Sequence, residues 1–317
     1  MKEYLVLHFF RGLSAIGIVA FHTIDSTYTS SLYLYVDFFF VLSGFFLEPK
    51  IYSYKTTTKS FIVKRIIRLA PIPICVILLH SLMLTFYDSI IKSSAKPEFH
   101  ILNTLFSILL LQIFVPAKAN ILPHLWSLSA ELWVNIFAVI TKINSRINLF
   151  LILLFSGTIQ LFDSITLFDS GSTFRAFFGF YVGIITKKCY AKKLKIDYKI
   201  PLSYLPGIII FQYVLLKIFD EYLIEFKYIC SSLFSAFFIL LVNMIIPPTS
   251  LKAIKIFNYL GDVSFPLYVI HVSILTVVVT LHPTIRPVFL FALALLSSCI
   301  FIYLARKFYF IYSRYVG

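Results

Sequence analysis

The stretch Arg11-Gly-Leu-Ser-Ala-Ile-Gly-Ile-Val-Ala-Phe-His22 decides how the rest of the chain is interpreted. It is an apolar run with a cation at one end and an imidazole at the other. In a helix this spacing is about three turns, so Arg11 and His22 point to the same side, roughly 16 Å apart along the axis. A cation that faces lipid at that depth costs several kcal/mol. The pattern therefore predicts a membrane helix with one face toward a polar cavity inside a bundle.

Each of the two residues also has a purely structural interpretation. The side chain of Arg11 can extend to the inner membrane interface, and His22 can lie at the outer headgroup level where the span ends. Their alignment on one helix face favours a functional role for the pair. An imidazole titrates near neutral pH, which suits it to act as a general base on a hydroxyl.

The composition is that of a polytopic α-helical membrane protein. Hydrophobic residues make up 60% of the 317 residues and charged residues 13%, and long apolar runs recur from end to end. The first run has no small-residue cleavage site after it, so we expect a retained span and not a signal peptide. The net charge of +14 is attributed to basic cytoplasmic loops that face anionic membrane lipids, not to nucleic-acid binding.

No metal site or disulfide is predicted. The four cysteines have no CxxC pair and lie in or beside apolar runs, so we expect them to be buried packing residues; they are Cys75, Cys189, Cys230 and Cys299. The sequence also has no Walker loop, HExxH, GxSxG or dinucleotide fingerprint. ATP-driven transport, zinc proteolysis and lipase-type chemistry are therefore disfavoured.

The apolar runs predict an all-α fold of ten transmembrane helices in a single membrane domain, 1–317. The predicted spans are 4–24, 32–49, 69–87, 125–141, 147–163, 172–187, 201–219, 228–246, 264–281 and 287–305. The basic loops 50–68 and 187–199 should both be cytoplasmic, which requires an even number of crossings between them. Counting the further run 99–116 gives five crossings, and leaving it out gives four. We therefore predict that 99–116 is a re-entrant or interfacial segment, and that both termini are cytoplasmic.

Asp37 lies near the outer start of the second predicted span, in Val36-Asp37-Phe-Phe-Phe-Val-Leu-Ser43-Gly44. Two interpretations are open. The carboxylate can orient an imidazole by accepting its N–H, or it can stabilise the N-terminus of its own helix. Ser43-Gly44 is expected to allow another helix to approach closely.

Lys64, Arg65 and Arg68 cluster at the cytoplasmic start of the third span, where Pro71 suits the first turn of the helix. They form either a plain positive-inside anchor or a phosphate site for a nucleotide-bearing donor. The second interpretation rests on the charge-assisted bonds that clustered Arg and Lys make to phosphate.

Glu131 lies inside an apolar span, where a carboxylate is expensive and is a functional candidate by default. The structural alternative is an ion pair with Arg175, near the outer start of its own span. Trp126 and Trp133, the only two tryptophans, are either interface anchors or the flat walls of a sugar site.

The stretch 259–271 contains several polar residues beside the ninth span. Asp262 or Ser264 is expected to cap this helix, with Pro266 in its first turn. Tyr268 and His271 are three residues apart and share a helix face. A mid-span histidine such as His271 is either a packing residue or a functional one.

Taken in order, these motifs resemble the bacterial membrane-bound acyltransferase family 3. The matching stretches are Arg11-x10-His22, VDFFFVLSGF at 36–45, Lys64-Arg65-x-x-Arg68, WSLSAE at 126–131, FRAFFGFYVG at 174–183 and LGDVSFPLYVIH at 260–271. The likeness covers nearly the whole chain. One departure is Val134-Asn135, where an aromatic Phe-Tyr pair commonly follows the glutamate.

The resemblance implies ten membrane helices and transfer of an acyl group, usually acetyl from acetyl-CoA. The acceptor it implies is a hydroxyl of a cell-surface polysaccharide, such as a lipopolysaccharide O-antigen, or of its lipid-linked precursor. The expected location is the bacterial inner membrane, with polysaccharide-assembly proteins as partners. The catalytic candidates are His22, Glu131 and Asp37. The candidates for binding acetyl-CoA are Arg11, Lys64, Arg65 and Arg68. The candidates for binding the acceptor are Trp126, Arg175, Tyr268 and His271.

In the expected mechanism, the CoA phosphates bind the basic cluster and the pantetheine arm passes Arg11. His22 then deprotonates the acceptor hydroxyl or carries the acyl group itself, while Asp37 or Glu131 steers the imidazole or holds acceptor hydroxyls. The alternative is a secondary transporter or glycan flippase, in which Arg11, Glu131, Arg175 and Lys217 form a substrate or proton path. The inverted repeats typical of transporters are not visible in the hydropathy pattern.

Overall fold

The computed structural model describes residues 4–53, 57–91, 97–114, 122–161, 170–193, 199–281 and 286–300. Within these ranges every regular element is a helix, apart from one isolated parallel bridge between Ile200 and Ile245. The predicted all-α fold is confirmed.

Most of the α-helices coincide with the apolar runs of the sequence, but α3 lies in the basic stretch 50–68 that was predicted to be a loop. In chain order they are α1 (Leu5–Thr23), α2 (Tyr35–Ile51), α3 (Thr58–Leu69), α4 (Pro71–Ile91), α5 (Pro97–Ile108), α6 (Trp126–Thr141), α7 (Arg146–Leu161), α8 (Ser170–Lys193), α9 (Leu205–Tyr222), α10 (Lys227–Asn243), α11 (Leu251–Leu281) and α12 (Pro287–Ile300). Pro71 opens α4, and Asp37 lies in the first turn of α2, as predicted.

Length and composition identify some of these helices as membrane spans. In the described part of the chain, four segments are long and apolar enough to cross a bilayer: Leu5–Thr23, Ser30–Ile51, Leu202–Tyr222 and Leu251–Val279. A fifth is formed if Thr58–Leu69 and Pro71–Met83, which meet at a 43° bend, count as one span. α7, α10 and α12 are apolar but shorter. A multi-pass membrane protein is thus supported, and the count of ten spans stays a prediction.

The chain divides into two compact bodies. The terminal body comprises Met1–Tyr35 and Pro247–Gly317, and the central body comprises Val36–Ile246. α1, α11 and α12 belong to the first, and α2 to α10 belong to the second.

In the terminal body α1 and α11 pack side by side in the same direction. Near the start of α1, Phe9 stacks on Phe257 with ring centroids 4.5 Å apart. At its end, His22 contacts His271. Since both helices are long enough to cross the bilayer, parallel packing requires an odd number of crossings between them. The seven intervening predicted spans, without 99–116, meet that requirement.

In the central body glycines bring α2 and α8 into backbone contact. A Cβ on Gly44 would collide with the carbonyl oxygen of Phe180, and a Cβ on Gly183 would collide with the carbonyl oxygen of Val41. Such contact between small residues is a common way for membrane helices to pack, because lipid supplies no hydrophobic force between them. The close helix approach predicted for Ser43-Gly44 is confirmed.

The order of contacts along α2 and α6 shows that these two helices are also parallel. Phe40 lies beside Trp126 with ring centroids 6.0 Å apart, and one turn further along α2, Ser43 hydrogen-bonds Glu131. Parallel spans need an odd number of crossings between them. If the bent α3–α4 segment counts as one span, it supplies one crossing, and a second crossing through 99–116 would reverse α6.

The 99–116 segment has a structure that agrees with this topology. Its helix α5 has 12 residues, which corresponds to a length of about 18 Å. The hydrocarbon core of a bilayer is about 30 Å thick. A short 3-10 turn at Gln112–Phe114 follows, so the described part of the segment is too short to span and fits a re-entrant or interfacial position.

The predicted start of the ninth span is wrong. α11 begins at Leu251, so Asp262 and Ser264 do not cap it and Pro266 lies inside the helix. The proline removes one backbone hydrogen bond, but the helix continues because packing against α1 holds both sides of it. That packing is close, because a Cβ on Gly261 would lie 2.6 Å from Nδ1 of His8.

The prediction that the cysteines are buried is wrong for two of them. Cys75 and Cys189 are exposed, and Cys230 and Cys299 are half-buried. For Cys75 the reason is that the lipid-facing surface of a membrane bundle is as apolar as its interior, so an apolar sequence context does not distinguish the two environments. Cys189 lies among the lysines at the end of α8, beyond the apolar run.

The glycine contacts between α2 and α8 predict a strong dependence of stability on Gly44 and Gly183. We expect Gly44→Ala or Gly183→Ala to destabilise the protein by about 3 kcal/mol or more, because the backbone of the facing helix must move. Gly207→Ala is the matched control, since nothing lies within 4 Å of its Cβ position; there we expect a neutral effect or a gain of up to about 1 kcal/mol from helix propensity. Thermal unfolding in detergent measures all three, and equal midpoints would contradict the close approach.

Candidate functional site

Two imidazoles meet in the terminal body. His22 lies in the last turn of α1, and its Nδ1 is 3.3 Å from Nε2 of His271 in α11. The His271 side chain is fully buried, whereas His22 is exposed. One ring is therefore at the surface of the terminal body and the other is held inside the helix pair.

The backbone determines which nitrogen of His22 carries the proton. Nδ1 of His22 is 2.9 Å from the carbonyl oxygen of Ile18. A carbonyl oxygen only accepts hydrogen bonds, so we assign the ring proton to Nδ1 and the lone pair of the neutral ring to Nε2. Nε2 forms no hydrogen bond with the residues that the structure describes. A neutral imidazole whose Nε2 lone pair forms no hydrogen bond with the described residues has the chemistry of a general base.

Arg11 and Tyr268 complete this part of the site. α1 is continuous from Leu5 to Thr23, so the helix that aligns Arg11 with His22 is confirmed. Arg11 is half-buried, and Tyr268 packs beside His271 with ring centroids 5.8 Å apart. The assignment of Arg11 to donor binding and of Tyr268 to acceptor binding stays a prediction.

In the central body, Arg65, Glu131 and Ser43 form one hydrogen-bonded group. Nη2 of Arg65 donates to Oε1 of Glu131 at 2.6 Å and to Oγ of Ser43 at 3.1 Å. The Ser43 hydroxyl donates to the same carboxylate oxygen at 2.8 Å. The group ties α3, α6 and α2 together and neutralises the charge of a carboxylate that lies within an apolar helix.

Asp37 and Arg175 form a second ion pair, and both side chains are buried. Nε of Arg175 is 2.5 Å from Oδ1 of Asp37, and its Nη2 is 3.1 Å from Oδ2, so the contact is bidentate. The guanidinium lies 4.2 Å from the centroid of the Tyr228 ring and 5.9 Å from that of Trp126. Aromatic faces on this cation offset part of the cost of removing it from water.

These contacts differ from the pairing of Glu131 with Arg175 that the sequence suggested. Glu131 pairs instead with Arg65, and Arg175 pairs with Asp37. Neither pairing was suggested by the sequence. The reason is that α3 is a helix and not a loop, so Arg65 extends into the bundle. Lys217, from the alternative transport path, pairs with Glu221 at 3.4 Å on α9, where both side chains are partly exposed.

Arg65 therefore differs from the other cations of its cluster. It is buried, whereas Lys64 and Arg68 lie one turn apart on the exposed face of α3. The charge of Arg65 is compensated by Glu131. A role of Arg65 in binding donor phosphates stays a prediction. Both carboxylate oxygens of Asp37 accept hydrogen bonds from Arg175. The role of Asp37 in orienting an imidazole stays a prediction.

Lys50 is a fourth member of the basic cluster, and the sequence interpretation missed it. This residue lies in the last turn of α2, close enough to Lys64, Arg65 and Arg68 for charge repulsion. Among the described residues, Lys50, Lys64 and Arg68 form no ion pair. Adjacent cations that no carboxylate compensates form a favourable site for phosphate. Lys50 lies on α2 whereas the other three cations lie on α3, so the spacing in the sequence did not group it with them.

Asn135 is a second residue that sequence reasoning passed over. It lies one turn after Glu131 in α6, is fully buried, and neither side-chain polar atom has a hydrogen-bond partner in the described structure. Nε of Arg65 is likewise buried without a partner. Buried polar groups are rarely left unsatisfied, so Asn135 joins Arg65 among the candidate site residues. The only signal in the sequence was the departure from the usual aromatic pair at 134–135.

The sequence matches one known family. A family model described as "Acyltransferase domain" matches residues 4–306, which is nearly the whole chain. No curated protein and no solved structure matches the chain significantly.

The buried Asp37–Arg175 pair predicts a non-additive effect on stability. We expect Asp37→Ala or Arg175→Ala to cost about 3–5 kcal/mol each, because each leaves one uncompensated buried charge. The double variant should cost clearly less than the sum, because it removes both charges. Lys217→Ala, in an exposed pair, is the control and should cost at most about 1 kcal/mol. Thermal unfolding of the purified variants measures this, and additive losses would argue against the pair.

Proposed function

Since the chain belongs to acyltransferase family 3, we propose that it moves an acyl group from acyl-CoA to a hydroxyl of a cell-surface polysaccharide or of its lipid-linked precursor. Family membership identifies a membrane acyltransferase. Acetyl is the acyl group we propose, and the bacterial inner membrane the location. The observation that carries the proposal is the exposed His22 ring, whose Nδ1 proton is held by the carbonyl oxygen of Ile18 and whose Nε2 forms no hydrogen bond with any described residue.

The proposed reaction uses His22 first as a base and then as an acid. Nε2 takes the proton of the acceptor hydroxyl while the oxygen attacks the thioester carbonyl, so a C–O bond forms and the C–S bond breaks. The imidazolium then returns its proton to the departing thiolate, and the products are an ester and free CoA. A general base of this kind contributes about 10²- to 10⁴-fold to a rate. The free Nε2 is also compatible with a covalent acyl-imidazole route.

The donor is proposed to bind through its phosphates to Lys50, Lys64 and Arg68. CoA carries a diphosphate and a 3′-phosphate, and charge-assisted hydrogen bonds from Lys and Arg are the usual means of holding such groups. These three cations are exposed at the surface of the central body. Arg65, held by Glu131, positions α3 and supplies one further positive charge nearby.

The other candidate residues keep narrower roles in this proposal. Arg11 lies about 16 Å along α1 from His22, a distance that an extended pantetheine arm covers, so we assign it to the donor. Trp126 presents an aromatic face suited to a sugar ring. Arg175 and Glu131 are committed to ion pairs, and we propose that they shape the acceptor site by holding the helices.

The transporter or flippase alternative predicts no cleavage of a thioester. Of the charges in its proposed path, Glu131, Arg175 and Lys217 all have carboxylate or guanidinium partners. Release of free thiol from acetyl-CoA in proteoliposomes distinguishes the two functions, since only an acyltransferase liberates CoA.

His22→Ala should abolish acyl transfer. We expect loss of at least about 10²-fold in acceptor-dependent thiol release, because the variant has no base for the hydroxyl. Acetate on extracted glycan should fall in parallel. His80→Leu removes another buried histidine, from α4, and serves as the control that should retain activity. Full activity of His22→Ala in correctly inserted protein would remove this residue from the mechanism.

Lys64→Gln combined with Arg68→Gln should weaken donor binding selectively. We expect the KM for acetyl-CoA to rise about tenfold or more with little change in kcat, since each lost phosphate contact is worth about 1.5–3 kcal/mol at most. Lys59→Gln, in the first turn of the same helix, is the matched control. Wild-type protein should prefer acetyl-CoA to acetyl-3′-dephospho-CoA, and the double variant should lose part of that preference. An unchanged KM would argue against phosphate binding at this cluster.

A further inference from the structure

We propose that His271 is a positioning residue that accepts a hydrogen bond from His22 and stabilises the imidazolium formed when His22 takes a proton. The proposal rests on the proposed function, in which His22 is the base. It replaces the acceptor-binding role that the sequence suggested for His271.

The proton of His271 is assigned by its own helix. Nδ1 of His271 is 2.7 Å from the carbonyl oxygen of Tyr268 and 3.2 Å from that of Leu267. Because both partners are carbonyl oxygens, Nδ1 carries the hydrogen and donates it. The neutral His271 ring therefore has its lone pair on Nε2, the atom that faces His22.

The donor that meets this lone pair is Nδ1–H of His22. That hydrogen lies between two acceptors, the Ile18 carbonyl at 2.9 Å and Nε2 of His271 at 3.3 Å. The carbonyl sets the tautomer of His22, and the second imidazole adds an acceptor from another helix. A contact from α11 restricts rotation of the ring in a way that a carbonyl of the same helix turn does not.

The hydrogen bond to His271 strengthens when His22 becomes charged. Protonation at Nε2 makes Nδ1–H of the same ring a cationic donor, and charge-assisted hydrogen bonds are roughly twice as strong as neutral ones. An interaction that is stronger in the charged state than in the resting state lowers the barrier to proton transfer. In a serine hydrolase triad a buried carboxylate performs this function on the corresponding nitrogen.

A neutral imidazole suits this position in a membrane. The side chain of His271 is fully buried, and an uncompensated carboxylate there would pay the cost of an intramembrane charge. A second imidazole offers a good acceptor without adding charge to the resting site.

The packing of α1 on α11 makes the geometry rigid. A Cβ on Gly12 would lie 2.5 Å from the carbonyl oxygen of Leu260, so the two backbones are in direct contact. The His22 ring also meets Phe21 edge-on, with ring centroids 4.9 Å apart. Close helix packing thus sets the separation between the two imidazoles.

The experiment compares variants of His271 that keep or remove the acceptor. His271→Gln retains an oxygen that can accept from Nδ1–H of His22, whereas His271→Leu and His271→Phe have no acceptor. For each we would measure kcat and the KM for acetyl-CoA in proteoliposomes. We would also measure the rate at which diethyl pyrocarbonate modifies His22, followed by mass spectrometry, because this reaction reports Nε2 of the ring without requiring acyl transfer.

The proposal expects the two acceptor-free variants to lose about 10- to 100-fold in kcat, the value of a hydrogen bond to a charged group, with an unchanged KM. His271→Gln should retain most of the activity, and His22 should be modified more slowly only in the acceptor-free variants. Equal losses of kcat in all three variants, or equal modification rates, would overturn it. Leu and Phe differ in shape. If one of these two variants fails to insert into the membrane, the other still tests the proposal.

The test of the proposed function is distinguishable from the test of the contact between His22 and His271. If His22→Ala keeps full activity, His22 is not the base and the reaction scheme fails. The modification rate of His22 in the His271 variants still shows whether the hydrogen bond between the two imidazoles exists.

Discussion

The structure depends on the requirement that every charged side chain inside an apolar bundle must find a partner on another helix. Asp37 meets Arg175 across α2 and α8, and Glu131 meets Arg65 across α6 and α3. An unpaired charge in either place would be expensive, because the low-dielectric surroundings cannot solvate it. These pairs therefore determine which helices are neighbours. Ser43, bonded to both Arg65 and Glu131, brings α2 into the second pair.

The imidazole pair of the terminal body follows a different principle. Neither ring needs a net charge at rest, so the bundle holds two polar groups there without an ion pair. Backbone carbonyls of α1 and α11 accept from one nitrogen of each ring. The other nitrogen of the exposed His22 ring, Nε2, keeps a lone pair. A base of this kind is what acyl transfer to a hydroxyl requires. The central body contributes Lys50, Lys64 and Arg68 instead, which form no ion pair with a described residue and suit an anionic donor.

Helix direction provided the most informative check on topology. Charge counting alone led to the prediction that 99–116 does not cross the membrane. The parallel arrangement of α2 and α6, seen in the contacts of Phe40 with Trp126 and of Ser43 with Glu131, agrees with this prediction if the bent α3–α4 segment counts as one crossing. The number of crossings stays a prediction. The lysines and arginines of the loops and the aromatic and hydroxyl contacts within the bundle are independent observations.

The sequence by itself determined the class of fold, the approximate helix positions, the family and the placement of Arg11 and His22 on one continuous helix. Apolar runs and basic loops report directly on the bilayer, which acts on each segment independently of its neighbours. Only the tertiary structure decided the partners: Arg65 with Glu131, Arg175 with Asp37, Lys50 with the basic cluster, and His271 with His22. It also extended α11 back to Leu251. These features depend on which helices pack together, and packing is set by contacts between residues far apart in the chain.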